Sequence, residues 1–379
     1  MIYLDANATE PLRPESRLAA LEALDCVGNP SSPHKAGRAA RALLDDARKR
    51  VSTRLGVHPD NCVFTSGGTE ANTLAVKAVG RNRRILIGAT EHDAVRKAAD
   101  DGELVEWLPV LPDGTIDLAA LEKTLARSEA AALVCVMLAN NETGVINPIE
   151  DVASLCRKTG AWLHVDAVQA VGRVSADIGT LGADSLALSG HKFGGMKGAG
   201  ALLLAGDAPV VLHPMQAGGG QERGRRGGTQ ALPAIVSLAA ALDAALDQPV
   251  DFTGLRDRIN AAASCCGATI CGEDAPRLHN TSCIALPGVR SEAQLIALDL
   301  EGFCVSAGSA CSSGKVGGSH VLAAMGLGDL AGNAIRVSLP WNVTEADVSG
   351  FIAAYERMAR RQSARSSRAQ IAPADQIGM

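Results

Sequence analysis

The chain is poor in aromatic residues and lacks long apolar runs. Phe, Trp and Tyr make up 3% of its 379 residues, so Ala, Leu, Val and Ile must build most of the core. No apolar run reaches the roughly 20 residues that a membrane helix needs. Residues 1–5 contain no basic region and lead into no long apolar segment, unlike a signal peptide. These absences predict a cytoplasmic globular protein that does not contact a membrane.

The sequence also has no excess of positive charge and no paired cysteine motif. Its formal net charge is -5, which offers no general attraction for nucleic acid. Its ten cysteines include no Cys-x-x-Cys pair, which argues against a zinc ribbon or a thioredoxin-like site. Most of them lie inside apolar runs, so we expect reduced, buried thiols and no resident metal.

Strand-like and helix-like segments alternate between about residues 60 and 205. Strands are predicted near 62–64, 84–89, 104–110, 132–138, 162–166, 185–189 and 200–204, and helices near 69–79 and 149–159. This alternation predicts an α/β fold with a mostly parallel sheet flanked by helices. The pattern changes after a long helix that ends before Pro249. We therefore predict a large domain over 15–248, a smaller α+β domain from 1–14 and 249–360, and a poorly ordered tail over 361–379.

Polar residues follow the carboxyl ends of several predicted strands, where open α/β sheets bind ligands. Asp166 and Ser189 end two strands, Lys192 follows the second, and Asn141 follows the strand near 132–138. A lysine amine can hold an aldehyde and a carboxylate can pair with a pyridinium nitrogen, which fits pyridoxal phosphate. Taken singly, Lys192 could be a surface lysine and Asn141 a turn residue.

A glycine-rich loop precedes the predicted helix at 69–79. Gly68 lets the backbone approach an anion, and the helix N-terminus offers free N–H groups, so the loop could bind a phosphate. Ser189 and His191 could bind the same phosphate. The alternative is a simple helix cap by Thr69. The spacing does not match a nucleoside-triphosphate P-loop.

Four other residues carry two interpretations each. His92 could stack on a planar ring and shuttle a proton, or simply be solvated. Arg336 stands in an otherwise apolar strand and needs an anion, either an internal carboxylate or a substrate carboxylate. Cys311 is surrounded by small residues and lies near Lys315. It could be a nucleophile, or it could be a loop cysteine that is merely tolerated. The basic, glycine-rich segment that ends at Thr229 is a surface loop or an arm reaching a neighbouring subunit's site.

Taken together, these motifs resemble the cysteine desulfurases of the NifS/IscS group. These are fold-type I pyridoxal phosphate enzymes of the class V aminotransferase family. The resemblance runs from the opening motif at 3–9 to about residue 360, and it includes the segments 28–32 and 165–172. It implies a homodimer that converts L-cysteine to L-alanine and passes the sulfur, as a persulfide on Cys311, to an acceptor protein such as an iron–sulfur scaffold.

The resemblance also implies a role for each candidate residue. Lys192 would hold the cofactor covalently and Asp166 would pair with its ring nitrogen. The remaining cofactor contacts would come from His92, Asn141, Gln169, Gly68, Thr69, Ser189, His191 and, across a dimer interface, Thr229. Arg336, with Asn141, would bind the substrate carboxylate. Cys311 would receive the sulfur and could contact a cluster transiently during transfer.

Two other functions remain open on the sequence alone. A selenocysteine lyase, or another lyase on the same scaffold, need not use Cys311. A non-catalytic scaffold could keep the fold and bind a partner in sulfur assembly. The joint presence of Lys192, Asp166, His92, Cys311 and Arg336 argues against the scaffold.

Overall fold

The computed structural model describes residues 1–99, 105–206, 212–308 and 318–371, with side chains described as far as Arg361. Cys311 and its neighbours at 309–317 lie outside the described residues, as does the end of the chain at 372–379. None of the described helices combines the length and apolar character that crossing a bilayer requires.

A seven-stranded sheet forms the centre of the molecule. Its strands are β2 (Cys62–Thr65), β3 (Arg84–Gly88), β4 (Val105–Leu108), β5 (Ala132–Met137), β6 (Trp162–Asp166), β7 (Ser185–Ser189) and β8 (Gly200–Leu204). Their order is β2-β8-β7-β6-β5-β3-β4. β8 runs antiparallel to both of its neighbours, whereas the other pairs are parallel. The predicted α/β fold with a mostly parallel sheet is confirmed.

Successive side chains of each strand pack on opposite faces of this sheet. In β5, Val134 and Val136 join the larger core, whereas Leu133 and Cys135 join a second core on the other face. Burial on both faces explains why these strands are nearly continuous apolar runs. The flanking helices of this part are α1 (Pro14–Leu24), α2 (Lys35–Arg54), α3 (Gly68–Val79), α4 (Asp93–Arg96), α5 (Leu118–Ala126), α6 (Ile149–Thr159), α7 (Ile178–Leu181) and α8 (Leu232–Asp247).

The N-terminus and the C-terminal third build a second, smaller layer. Its strands are β1 (Ile2–Tyr3), β9 (Thr269–Ile270), β10 (Thr281–Ala285), β11 (Phe303–Cys304), β12 (Ser306–Ala307) and β13 (Ala334–Ser338). β1 pairs with β11, and the other four form a sheet in the order β12-β13-β10-β9. Leu4 packs in the same core as Phe252 and Tyr355. This packing supports the predicted two-domain division, which stays a prediction.

The helices of the second layer are α9 (Thr253–Cys265), α10 (Ser291–Leu300), α11 (His320–Ala324) and α12 (Glu345–Ile371). α12 continues beyond the predicted boundary at residue 360 and ends at Ile371. The physical reason is local, because the Arg, Ala and Gln residues of this segment are good helix formers. The rest of the predicted tail, 372–379, lies outside the described residues.

Candidate active site

A cavity of about 130 Å³ opens at the carboxyl edge of the central sheet, where it meets the second layer. Asp166 ends β6, Ser189 ends β7, and Arg336 reaches the cavity from β13. Ten predicted site residues line it: Gly68, Thr69, His92, Asn141, Asp166, Gln169, Ser189, His191, Lys192 and Arg336. The shared sheet edge therefore brings together residues that are far apart in the sequence.

Lys192 lies in a single 3₁₀ turn, Gly190–Lys192, that follows β7 directly. Its ammonium group donates hydrogen bonds to the carbonyl oxygens of Asn7 at 2.6 Å and Ala8 at 3.1 Å. The N-terminal segment thus orients the amine inside the cavity. Lys192 is part of the site and not a surface lysine.

Asp166 is a buried carboxylate with two donors on its own chain. The backbone N–H of Val168 donates to Oδ1 at 2.9 Å, and Nδ2 of Asn72 donates to Oδ2 at 2.7 Å. Burial raises the pKa of Asp166, while these hydrogen bonds and the nearby His92 and Lys192 lower it. Because both donors favour the charged form, Asp166 is suited to face a cationic group.

The N-terminus of α3 is open to the cavity. The N-cap residue is Gly67, and no side chain among the described residues caps this end. Thr69 lies inside the first turn, so the alternative of a Thr69 cap is wrong. A Cβ added to Gly68 would lie 2.6 Å from a methyl group of Val168, so glycine is required for this close approach. Open N–H groups at the positive end of a helix suit an anion such as a phosphate.

His191 lines the same cavity as this helix end. Burial, followed by the charges of Lys192 and Lys197, lowers the pKa of His191 to about 4. Its Nδ1 is 3.2 Å from the hydroxyl oxygen of Thr9. A neutral imidazole at this position can donate one hydrogen bond to an anion without adding charge.

Arg336 forms an internal ion pair with a carboxylate, and one of its N–H groups is left for a substrate carboxylate. Its Nη2 donates to Oδ1 of Asp5 at 2.8 Å, and its Nη1 donates to the carbonyl oxygen of Asn141 at 2.9 Å. The buried Nε has no hydrogen-bond partner among the described residues. A buried N–H without a partner costs free energy, so the cavity offers this arginine to an anionic ligand.

Gln169 and His92 both line the cavity and are held by local bonds. Oε1 of Gln169 accepts from Arg173 at 2.6 Å, and Nε2 donates to the carbonyl oxygen of Asn7 at 2.9 Å. Nδ1 of His92 accepts the backbone N–H of Ala94 at 3.0 Å, which makes His92 the N-cap of α4. Neither side chain is simply solvated.

Of the predicted site residues that the structure describes, Thr229 does not line this cavity. Thr229 is exposed on its own chain. Cys311 lies outside the described residues, so its predicted place at the site is untested.

Several residues that organise the site were missed from the sequence. Asn7 accepts from Lys192 and Gln169 and donates to Asn141, and Asn72 bonds Asp166. Arg173 is buried against Glu10 at 3.3 Å and also donates to the carbonyl oxygen of Lys192. The one available signal was the opening motif, which contains Asn7.

The residues present fit pyridoxal phosphate. The set combines an amine for the aldehyde, a carboxylate for the ring nitrogen and an uncapped helix end for the phosphate. The glycine at that helix end has no space for a side chain, and the unpartnered Nε of Arg336 remains for a substrate anion.

Comparisons with known proteins agree with this chemistry. Residues 2–351 match the family model "Aminotransferase class-V". A cysteine desulfurase of Cereibacter sphaeroides is 42% identical, over 93% of this chain and 94% of that protein. The structure of a NifS-like protein from Rickettsia africae superposes with a TM-score of 0.86 at 33% identity, over 95% of this chain and 99% of that one. A structure of SspA in complex with cysteine superposes with a TM-score of 0.78 at 28% identity, over 90% of this chain and 99% of that one.

Proposed function

Because the chain belongs to the class-V aminotransferase family, in its NifS/IscS group of cysteine desulfurases, we propose that it removes sulfur from L-cysteine with pyridoxal phosphate as cofactor and releases L-alanine. The observation that carries the proposal is one cavity that contains Lys192, Asp166 and Arg336 beside the open end of α3. The relatives are named for cysteine, which favours it over selenocysteine as the substrate.

Each side of the cofactor has residues that suit it. Lys192 would carry it covalently, with Asp166 at the ring nitrogen, His92 against the ring, and Asn141 and Gln169 at the ring hydroxyl. The open end of α3, at Gly68 and Thr69, would hold the phosphate with Ser189 and His191. When bound, the cofactor supplies an electron sink for the carbon skeleton of the substrate.

The chain's own residues bind the substrate and move its protons. Nε of Arg336 is free within the described residues to bind the substrate carboxylate, and Asn141 lies beside it. The Lys192 amine, aimed by the carbonyl oxygens of Asn7 and Ala8, would move a proton at the substrate Cα.

Sulfur transfer needs a thiolate, and we assign it to Cys311. The thiolate attacks the substrate sulfur, a sulfur–sulfur bond forms, and the carbon–sulfur bond breaks. The electron pair of the broken bond stays on the carbon skeleton and takes up a proton, so the products are alanine and a persulfide on Cys311. The persulfide then passes to an acceptor protein, of which an iron–sulfur scaffold is one kind.

A homodimer with shared sites is part of the proposal. Leu18, Leu21 and Leu24 recur along α1 and are 60%, 47% and 62% exposed, an apolar stripe of the kind that subunits bury. Thr229 is exposed on its own chain, as a residue would be if it reached the phosphate of the neighbouring site. A cytoplasmic location accords with the nine free thiols among the described cysteines.

Absorption spectroscopy tests the cofactor. The purified protein, given pyridoxal phosphate, should gain a visible absorption band that Lys192→Ala abolishes. Lys197→Ala is the matched control, because this lysine is close to the site but does not line its cavity. A wild-type protein that never acquires the band would refute the proposed function.

Mass spectrometry tests the sulfur acceptor. After incubation with L-cysteine, we expect one added sulfur on the peptide that contains Cys311, and none after Cys311→Ser. Cys304→Ser is the control, since Cys304 is a half-buried free thiol that does not line the cavity. Alanine release at the wild-type rate by Cys311→Ser would contradict the assigned role.

A further inference from the structure

A continuous row of hydrogen bonds leads away from Asp166 into the protein. Asn72 bonds Oδ2 of Asp166 through Nδ2, and its Oδ1 is 2.9 Å from Nε2 of His164. Nδ1 of His164 is 2.9 Å from the hydroxyl oxygen of Ser185, which also accepts from the indole N–H of Trp162 at 3.0 Å. Asn72, His164 and Ser185 are almost fully buried.

The backbone geometry explains why these side chains meet. Residues 162, 164 and 166 alternate along β6 and therefore point to the same face of the sheet. Ser185 is the partner of His164 in the parallel pairing of β6 with β7. Asn72 lies in α3, which packs on this face of the sheet. Buried polar groups of this kind need hydrogen-bond partners, and here they supply them to one another.

The chemistry of the two ends sets the direction of every bond. The indole N–H can only donate, so Ser185 accepts from Trp162 and is free to donate to His164. A charged Asp166 can only accept, so Asn72 presents its amide N–H to Asp166 and its oxygen to His164. A neutral His164 then carries its proton on Nε2 and accepts at Nδ1. The reverse order would require a protonated Asp166 and an inverted Asn72 amide.

We propose that Asn72 and His164 are positioning residues that, together with Ser185 and Trp162, hold Asp166 as a charged carboxylate of fixed orientation. The row ends on the residue that would pair with the cofactor ring nitrogen, so its catalytic meaning rests on the proposed function. The order of the hydrogen bonds does not depend on the proposed function. Directed donors strengthen one another in a low-dielectric interior, and here they all point toward the carboxylate.

The first experiment observes the hydrogen-bond order directly. Nuclear magnetic resonance of the holoenzyme labelled with ¹⁵N-histidine should show His164 as the neutral Nε2–H form, unchanged across the neutral pH range. His164→Gln identifies the resonance. A proton on Nδ1, or a doubly protonated ring, would overturn the proposal whether or not the protein is a desulfurase.

The second experiment reads the charge of Asp166 through the cofactor. We compare His164→Gln and Asn72→Leu with Asn147→Leu, a buried amide that bonds Ile116 and Met137 outside the row. A weaker charge on Asp166 stabilises a protonated ring nitrogen less, so the ring carries less positive charge. The nitrogen that would join the cofactor to Lys192 then keeps its proton to a higher pH, and the pH at which the bound cofactor's visible absorption changes shifts upward. We expect a shift of about one pH unit in both row variants, comparable to ordinary single-partner pKa effects, and none in Asn147→Leu.

The outcomes distinguish a failure of the proposed function from a failure of the positioning role. A wild-type protein without the absorption band would refute the proposed function, while the resonance of His164 would still test the row. A wild-type protein with the band, and row variants that titrate like Asn147→Leu, would refute the positioning role alone.

Discussion

His164 should make the stability of this protein fall at mildly acidic pH. Burial lowers the pKa of His164 from 6.5 to about 3. The imidazole is therefore neutral in the folded protein at a pH where the unfolded chain already binds a proton. Because the unfolded state binds more protons in this window, folding stability declines as the pH falls below 6.5 and levels off near 3.

The size of this effect follows from the two pKa values. Each pH unit between them costs about 1.4 kcal/mol. Between about pH 7.5 and about pH 4.5, the wild-type protein should lose roughly 2–3 kcal/mol through this one residue. Gln at position 164 does not titrate. His164→Gln should start about 1–3 kcal/mol less stable, because buried hydrogen bonds are lost, and should then lose about 2–3 kcal/mol less than wild type on acidification.

Urea unfolding at a series of pH values, with a fixed excess of pyridoxal phosphate, measures the difference. The quantity of interest is the gap between the two free energies of unfolding, because other titrating groups cancel in it. The difference between the two free energies should shrink as the pH falls, and at about pH 4.5 it should approach zero or change sign. Two curves that stay parallel would show that His164 is not buried as a neutral ring, and the reasoning would fail.

Five other substitutions test the residues that support the site. Arg173→Met leaves the buried Glu10 without its cation and should cost about 3–5 kcal/mol in urea unfolding, whereas Glu10→Gln, which can still accept from the N–H of Trp341, should cost less. Gly68→Ala places a methyl group against Val168 and should weaken cofactor binding about tenfold, measured by titration; unchanged affinity would contradict the close packing. Burial raises the pKa of Glu91 well above its usual value, so Glu91→Gln should change stability by less than about 1 kcal/mol, while Glu91→Ala should cost about 1–3 kcal/mol.

The predictable part of this fold is the part whose strands are buried on both faces. β6, β7 and β8 lie where continuous apolar runs predicted them, because burial on both faces of the sheet leaves a strong local signal. α2 went unpredicted although Ala40, Leu44, Ala47 and Val51 recur at helical spacing on its buried side. The end of α12 also left no local signal, since a polar composition does not distinguish a helix from a loop.

The site residues that follow a strand could be predicted from the sequence. The residues that hold other site residues in place could not. Asp166 and Lys192 stand out because strand ends gather ligands. His164 lies between Leu163 and Val165, so the segment resembles a plain apolar strand, although those two side chains point into the larger core on the opposite face. Arg173 bonds Gln169 four residues away, but its pairing with Glu10 depends on a contact across 163 residues. Such long-range partners leave no pattern in a single sequence.

Helix α3 connects the two ends of the proposed cofactor site. Gly68 begins the helix at the anion-binding end, and Asn72 lies four residues later on the same face, one turn further along. The same rigid element therefore sets both the open N–H groups and the donor that holds Asp166. Burial works against a charged Asp166, so the donor must be held firmly to be effective. A helix whose own start depends on a glycine packed against Val168 provides that rigidity, so a change at Gly68 should disturb the carboxylate as well as the phosphate end.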